Sequence, residues 1–229
     1  SSAMLPLIHP ATFLVSGATG SGKTILVFRL IDGVLDGELF EPPIKRIWYC
    51  YSEWQPKFDE YYRADVTGDD EGSVYFSKGL PAETDAIFDG SKPSLLVLDD
   101  LMSATNGFVA DIFTKLSHHR DLSVMYLCQN LFDRNPHHRT ISLNSHYILL
   151  LKNPRDVQPV ATLARQVYAD DWRHAVEAYR HATRQPFGYV LFDLHPRTPD
   201  HLRLRTDILP EDDVEHAYIK RSTNATTVI

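Results

Sequence analysis

Residues 17–24 of this chain read Gly-Ala-Thr-Gly-Ser-Gly-Lys-Thr, and the residue types in that octet suit the holding of a polyphosphate. Gly17, Gly20 and Gly22 let the backbone bend so that successive N–H groups point inward at phosphate oxygens. Ala18, Thr19 and Ser21 complete the turn. Lys23 is placed to reach β- and γ-phosphates, and the Thr24 hydroxyl to ligate Mg²⁺. The pattern G-x-x-x-x-G-K-[ST] carries this chemistry only where a strand precedes it and a helix follows. Phe13 to Ser16 reads as a short buried strand and Gly22 to Leu35 as a buried helix, whose N-terminus adds a partial positive charge. The expected ligand is ATP with Mg²⁺.

A second group of residues completes such a site. "PSLLVLDDL" (Pro93 to Leu101) is an aliphatic run ending in two acids, a Walker B pattern that delivers carboxylates to the C-terminal edge of a sheet, where ligands of open α/β sheets bind. Asp99 is expected to hold Mg²⁺, and Asp100 to orient or deprotonate the attacking water. Taken alone, two acids at a strand end are equally well explained as solvated surface; the neighbouring P-loop decides for the site. "LSVMYLCQN" (Leu122 to Asn130) ends in Gln129. In P-loop ATPases of the additional-strand class a strand lies between the P-loop and Walker B strands, and a polar residue at its tip faces the γ-phosphate. Gln129 fits that place, and a polar strand end facing solvent is the plainer alternative.

These side chains need a scaffold, and the chain is long enough to supply one. Its 229 residues are 43% apolar and 23% charged, with a formal net charge of −7, as in an ordinary globular domain. No run approaches the ~20 apolar residues of a membrane span, and no secretory signal is read, so a soluble intracellular protein is expected. Cys50 and Cys128 sit inside apolar strand-like runs, as buried reduced thiols do. Residues 1–4 read as an expression scar. Further strands are predicted at Lys45 to Ser52, at "SVYFSKG" and at Ser145 to Asn153. Helices are predicted at Phe108 to His118, Val157 to Tyr168 and Trp172 to His181. "FGYVLFDLH" and "HLRLRTDI" suggest a late antiparallel pair. Trp54, Tyr61 and Tyr62 could stack on a base or a partner, and aromatic packing of a long loop is the plainer and better reading. Alternating strands and helices give an α/β fold, a mainly parallel doubly wound sheet flanked by helices. Residues 5–209 form the P-loop domain; residues 210–229 are expected to be an acidic segment with a short helix and a loose tail.

Taken together, "LLVLDDL", "HHRDLSVMYLCQNLF", "RTISLNSHYILLLKNPRD" and "PFGYVLFDLHPRTPDHLRLRTDILP" resemble the FtsK–HerA superfamily of ring-forming DNA-pumping ATPases. Within it they resemble the poxvirus-type packaging ATPases, and most closely those of Polinton-like elements and related small double-stranded DNA viruses. The resemblance spans residues 11–210. It implies a RecA-like core, a homo-oligomeric ring, ATP hydrolysis and movement of double-stranded DNA into a capsid. It also implies action in the host cell during virus assembly, with nucleus and virion as further locations, and capsid proteins as partners. Many superfamily members carry Asp-Glu where this chain has Asp99-Asp100, so the base assignment rests on a shorter side chain. No nuclease segment is read after the motor, so cutting is not expected.

The superfamily places an arginine finger, acting on the neighbouring subunit, just before the sensor strand. That position matches Arg120, with Arg139 and Arg155 as reserves; a helix C-terminal arginine complementing the macrodipole is the plainer reading. The stretch from Arg134 to Arg155 holds Arg134, Arg139, Lys152 and Arg155 and no acid. It takes in all of the loop "DRNPHHRT" except its first residue, Asp133. Contacts from it would reach DNA phosphates, independent of sequence and sensitive to salt, unless the stretch is simply a solvated loop. His118-His119 and His137-His138 are adjacent pairs whose side chains point apart, with no cysteine to join them, which argues against zinc. Two rivals remain at this level. One is a small-molecule phosphotransferase; the other is a nucleotide-gated capsid-assembly module that barely hydrolyses.

Overall fold

The computed structural model describes residues 5–220 and, as backbone alone, 226–228. The scar read at residues 1–4 and much of the expected loose tail lie outside the described residues. The strands are β1 (Leu7–Ile8), β2 (Thr12–Ser16), β3 (Phe40–Glu41), β4 (Arg46–Tyr51), β5 (Val74–Lys78), β6 (Ser94–Asp99), β7 (Leu122–Cys128), β8 (Tyr147–Leu151), β9 (Tyr189–Asp193), β10 (Leu204–Thr206), β11 (His216–Lys220) and β12 (Thr226–Val228). The helices are α1 (Lys23–Leu35), α2 (Gly107–Asp111), α3 (Ser117–His119), α4 (His138–Leu143), α5 (Gln158–Tyr168) and α6 (Trp172–Ala182).

Ten strands form one sheet in the order β12-β11-β10-β9-β8-β2-β7-β6-β4-β5. From β5 to β8 all neighbours are parallel; from β8 onward each pair is antiparallel. The strand β7 lies between β2 and β6, the order of the additional-strand class. The central strands are aliphatic throughout because both faces are covered. On one face Phe13, Val15, Tyr49, Val97, Leu127 and Leu149 pack against Val27, Phe28 and Ile31 of α1. On the other, Leu14, Leu96, Leu98, Tyr126 and Leu150 meet Val109, Phe113, Leu163 and Tyr179 of the remaining helices. The side-chain period of two thus feeds two cores from one set of strands.

Three elements depart from the sequence-based expectation. The acidic segment after Pro210 does not form a short helix: His216–Lys220 is β11, paired antiparallel with β10. The "DRNPHHRT" loop becomes helical at His138, where α4 begins. The helix expected over Phe108 to His118 is present but widens to a π-helical turn at Ile112–Leu116, and Asn106 caps its start by accepting from the N–H groups of Phe108 and Val109. The short pair β1–β3 was not anticipated. Among the described residues no helix is long and apolar enough to cross a membrane.

Candidate nucleotide site

Register brings the predicted residues to one sheet edge. Ser16, the last residue of β2, pairs with Cys128 of β7, and Asp99 of β6 pairs with Leu127. The next residues, Gly17, Asp100 and Gln129, therefore emerge side by side. Gly20 and Gly22 adopt φ of 79° and 94°, the left-handed region that glycine enters at no steric cost. The result is a cavity of about 440 Å³ lined by, among others, Thr19, Gly22, Lys23, Thr24, Asp99, Asp100 and Gln129.

Lys23 stretches across the mouth of the P-loop. Its Nζ donates to the carbonyls of Gly17 and Cys128, both at 3.1 Å. Burial pulls this ammonium below its ordinary value, against the pull of Asp99 and Asp100. Asp99 is 4% exposed and accepts a 2.6 Å hydrogen bond from the Tyr49 hydroxyl. Burial pushes the Asp99 carboxyl above the ordinary carboxylate range, while the Tyr49 bond and the Lys23 charge draw it back. Tyr49 itself titrates well above its ordinary value because it is buried next to that carboxylate, so it remains a donor. Asp100 is exposed, adopts φ of 53° and accepts from the Ser52 hydroxyl at 3.4 Å. Aspartate tolerates the left-handed region better than most residues, and such backbone strain gathers at functional sites.

The donor set fits a magnesium-bound polyphosphate. Thr24 Oγ1, donating to Gln55 Oε1 at 3.3 Å, and the buried Asp99 carboxylate are hard oxygen ligands of the kind Mg²⁺ takes. The Ser21 hydroxyl in the loop is buried without a hydrogen-bond partner among the described residues. A phosphate oxygen would satisfy it.

Solved structures sharing this architecture include the genome packaging NTPase B204 of Sulfolobus turreted icosahedral virus 2 in complex with sulfate. It is 14% identical with a TM-score of 0.55, over 82% of this chain and 93% of that one. The same protein with ATP-gammaS aligns at 14% identity and TM-score 0.54, over 82% and 94%. The DNA-packaging ATPase B204 of Sulfolobus turreted icosahedral virus aligns at 12% and 0.53, over 80% and 92%. The fold is that of a P-loop NTPase. No protein-family model matches the chain, and no curated protein is similar to it in sequence.

The other predicted residues are not drawn into this pocket. Arg120 caps α3, exposed, just before β7 begins. Because Cys128 at the far end of β7 touches Lys23, Arg120 stands at the opposite edge of the sheet, ~20 Å from its own P-loop at ~3.3 Å per strand residue. Arg134, Arg139 and Arg155 are exposed. Arg139 borders a cavity of about 260 Å³ with Phe132 and Leu143. Lys152 borders another of about 230 Å³ with Arg180 and Arg184, two cations the sequence reading passed over because they sit on a helix end far along the chain. Among the described residues no group of three His, Cys, Asp or Glu side chains is placed to hold a metal ion. Cys50 and Cys128 are buried free thiols, each pushed up to about 12 by burial. Trp54 and Tyr62 do pack a loop, edge to face at 5.4 Å, and Trp54 also meets Phe58 and Phe76. That loop delivers Gln55 to the pocket. Tyr49, Gln55, Ile25 and Phe187 line or support the site without having been singled out. Only the alternation of β4, which turns Tyr49 to the face of Val97, could have signalled the first of them.

Proposed function

We propose that this chain is an ATP-hydrolysing, ring-forming motor that moves double-stranded DNA into a viral or virus-like capsid. One observation carries the reading: the P-loop, a buried Walker B carboxylate and a polar residue on the strand between them converge on a single cavity. The shared fold with NTPases described as genome-packaging enzymes supports it. So do the quoted segments that resemble packaging ATPases of Polinton-like elements and poxviruses.

In this reading Lys23 exchanges the Gly17 and Cys128 carbonyls for β- and γ-phosphate oxygens. Thr24 and Asp99 hold Mg²⁺, which when bound neutralises charge on the phosphates. Gln129 orients the attacking water and Asp100 takes its proton. A cation from the neighbouring subunit meets the charge developing on the γ-phosphoryl group. Arg120 is assigned that part, with Arg139 and Arg155 next in order. Its distance from its own P-loop suits a residue that serves another chain. Arg134, Arg139, Lys152 and Arg155 contact DNA phosphates, with Arg180 and Arg184 beside Lys152. The setting is the host cell during particle assembly, and capsid protein is the docking partner.

Phosphate release measured with and without duplex DNA, together with native mass, tests this. The expected result is DNA-stimulated release by an assembly larger than one chain. Full turnover by a monomer, given a small acceptor and no DNA, would establish the phosphotransferase instead. Tight ATP binding with negligible release under all conditions would establish the assembly module.

A further inference from the structure

The site described so far recognises phosphates and says nothing of what is attached to them. Its layout does. Asp99, Asp100 and Gln129 come from β6 and β7, which lie on one side of the P-loop strand β2. The terminal phosphate must face that side, so the rest of the ligand leaves toward β8 and β9 on the other. Phe187 stands there, in the turn that enters β9, and lines the same cavity as Ile25 in the first turn of α1.

Both residues expose large apolar surfaces, 52% for Phe187 and 43% for Ile25. Phe187 is also held at φ of 62°, a conformation that a bulky residue adopts only under strain. The turn that follows it is tight. The Gly188 N–H donates to Gln185 O at 3.1 Å, and a Cβ at Gly188 would meet the Ala182 carbonyl oxygen at 2.1 Å, so the turn cannot relax by a residue swap at that position. The ring lies over Gly22, close enough that a Cβ there would meet Phe187 Cδ1 at 2.4 Å. The strained, half-exposed ring belongs to neither buried core and packs on the phosphate loop instead. Across from an aliphatic side chain at the exit of a phosphate cradle, it forms one wall of a slot for a flat apolar ring system.

We infer that Phe187 and Ile25 form the nucleobase slot, with Phe187 stacking on the base of the bound nucleoside triphosphate. The inference rests on the nucleotide-site reading above. The test separates the two by using a ligand with no base. ATP and inorganic tripolyphosphate, each with Mg²⁺, are titrated into the full chain by calorimetry.

Phe187→Gly is the variant of choice, because φ of 62° suits glycine and the fold is not put at risk. Loss of base stacking should weaken ATP binding by about 5- to 150-fold, the range for removing one aromatic platform. Tripolyphosphate binding should change less than about twofold, the additive tolerance of independent sites. Phe187→Trp should bind ATP as the wild type does. If Phe187→Gly weakens both ligands together, the ring only braces the P-loop and the slot is refuted. An unchanged ATP affinity refutes it as well. If the wild-type chain binds neither ligand, the nucleotide-site reading falls, and the slot falls with it.

Discussion

Replacing Tyr49 with Phe removes one oxygen atom and one hydrogen bond, and the consequence can be worked out in sign and size. The ring itself stays packed, since Tyr49 meets Phe28, Phe58 and Phe76 at centroid distances of 5.0 to 5.4 Å. What is lost is a 2.6 Å donor to a buried carboxylate. That bond favours the ionised form of Asp99 and so lowers its pKa, in opposition to burial, which raises it. Without it the pKa rises further, and at any given pH less of the carboxylate is available to Mg²⁺. A hydrogen bond to a charged group contributes about 1.5–3 kcal/mol. At about 1.36 kcal/mol per pH unit, the acid limb of Mg²⁺-dependent nucleotide binding should move up by about 1–2 units. Above that limb the affinities of variant and wild type should converge. The assay is a titration of a fluorescent ATP analogue, with and without Mg²⁺, across the acid-to-neutral range. The nucleotide-free protein gives an independent check. A carboxyl with a raised folded-state pKa contributes stability when protonated and loses it as pH rises from the unfolded value through the folded one. The variant should therefore lose stability over a wider, higher window than the wild type. An acid limb that stays in place, or moves down, would refute the claim that Tyr49 keeps Asp99 ionised.

Other perturbations separate binding, chemistry, assembly and DNA. Lys23→Ala should weaken ATP binding and abolish turnover, whereas Asp100→Asn should bind ATP and fail to hydrolyse it, because an amide takes no proton from water; phosphate release at the wild-type rate by Asp100→Asn would remove Asp100 as the base. Replacing Arg134 and Arg139 together with Ala should weaken binding to all duplexes alike and flatten the salt dependence by up to about two units of slope; an unchanged slope would place the DNA surface elsewhere. Arg120→Ala and Lys23→Ala chains should each be inactive alone and regain some activity when mixed, to an extent that depends on mixing ratio and on total concentration. No recovery from demonstrably co-assembled chains would exclude Arg120, and recovery with Arg139→Ala or Arg155→Ala would name its replacement.

The parts of the site that sequence reveals are those carried by neighbours along the chain. The octet at 17–24 is contiguous, and Asp99 and Gln129 terminate aliphatic runs that can only be central strands. The strand order is an expectation of the additional-strand class rather than of the runs themselves, and the sheet does place β7 between β2 and β6. Tyr49 stayed hidden for the opposite reason. Its partner lies fifty positions away, and an aromatic in a strand usually signals packing. Phe187 was hidden because left-handed backbone is expected of glycine, not phenylalanine, and the tight Gly188 turn that follows it is a tertiary fact. Two local misreadings have local causes. Pro136 and the polar residues around it masked the helix that starts at His138. The charges of residues 211–215 masked β11, whose His216, Ala217, Tyr218 and Ile219 do not alternate and form too short a run to declare themselves against them.

The placement of Arg120 across the sheet from Lys23 has a geometric implication. If one chain supplies the finger and the next supplies the P-loop, the two contacting surfaces are different patches of the same molecule. In the ring proposed above such a contact is heterologous, running head to tail from each chain to the next. Any open row of subunits then ends in one P-loop without a finger and one finger without a P-loop, and a single pair of chains makes one working site from two. Only closure gives every chain both. Turnover per chain should therefore climb with the size of an open assembly and reach its ceiling when the last gap shuts, making catalysis itself a count of how complete the circle is.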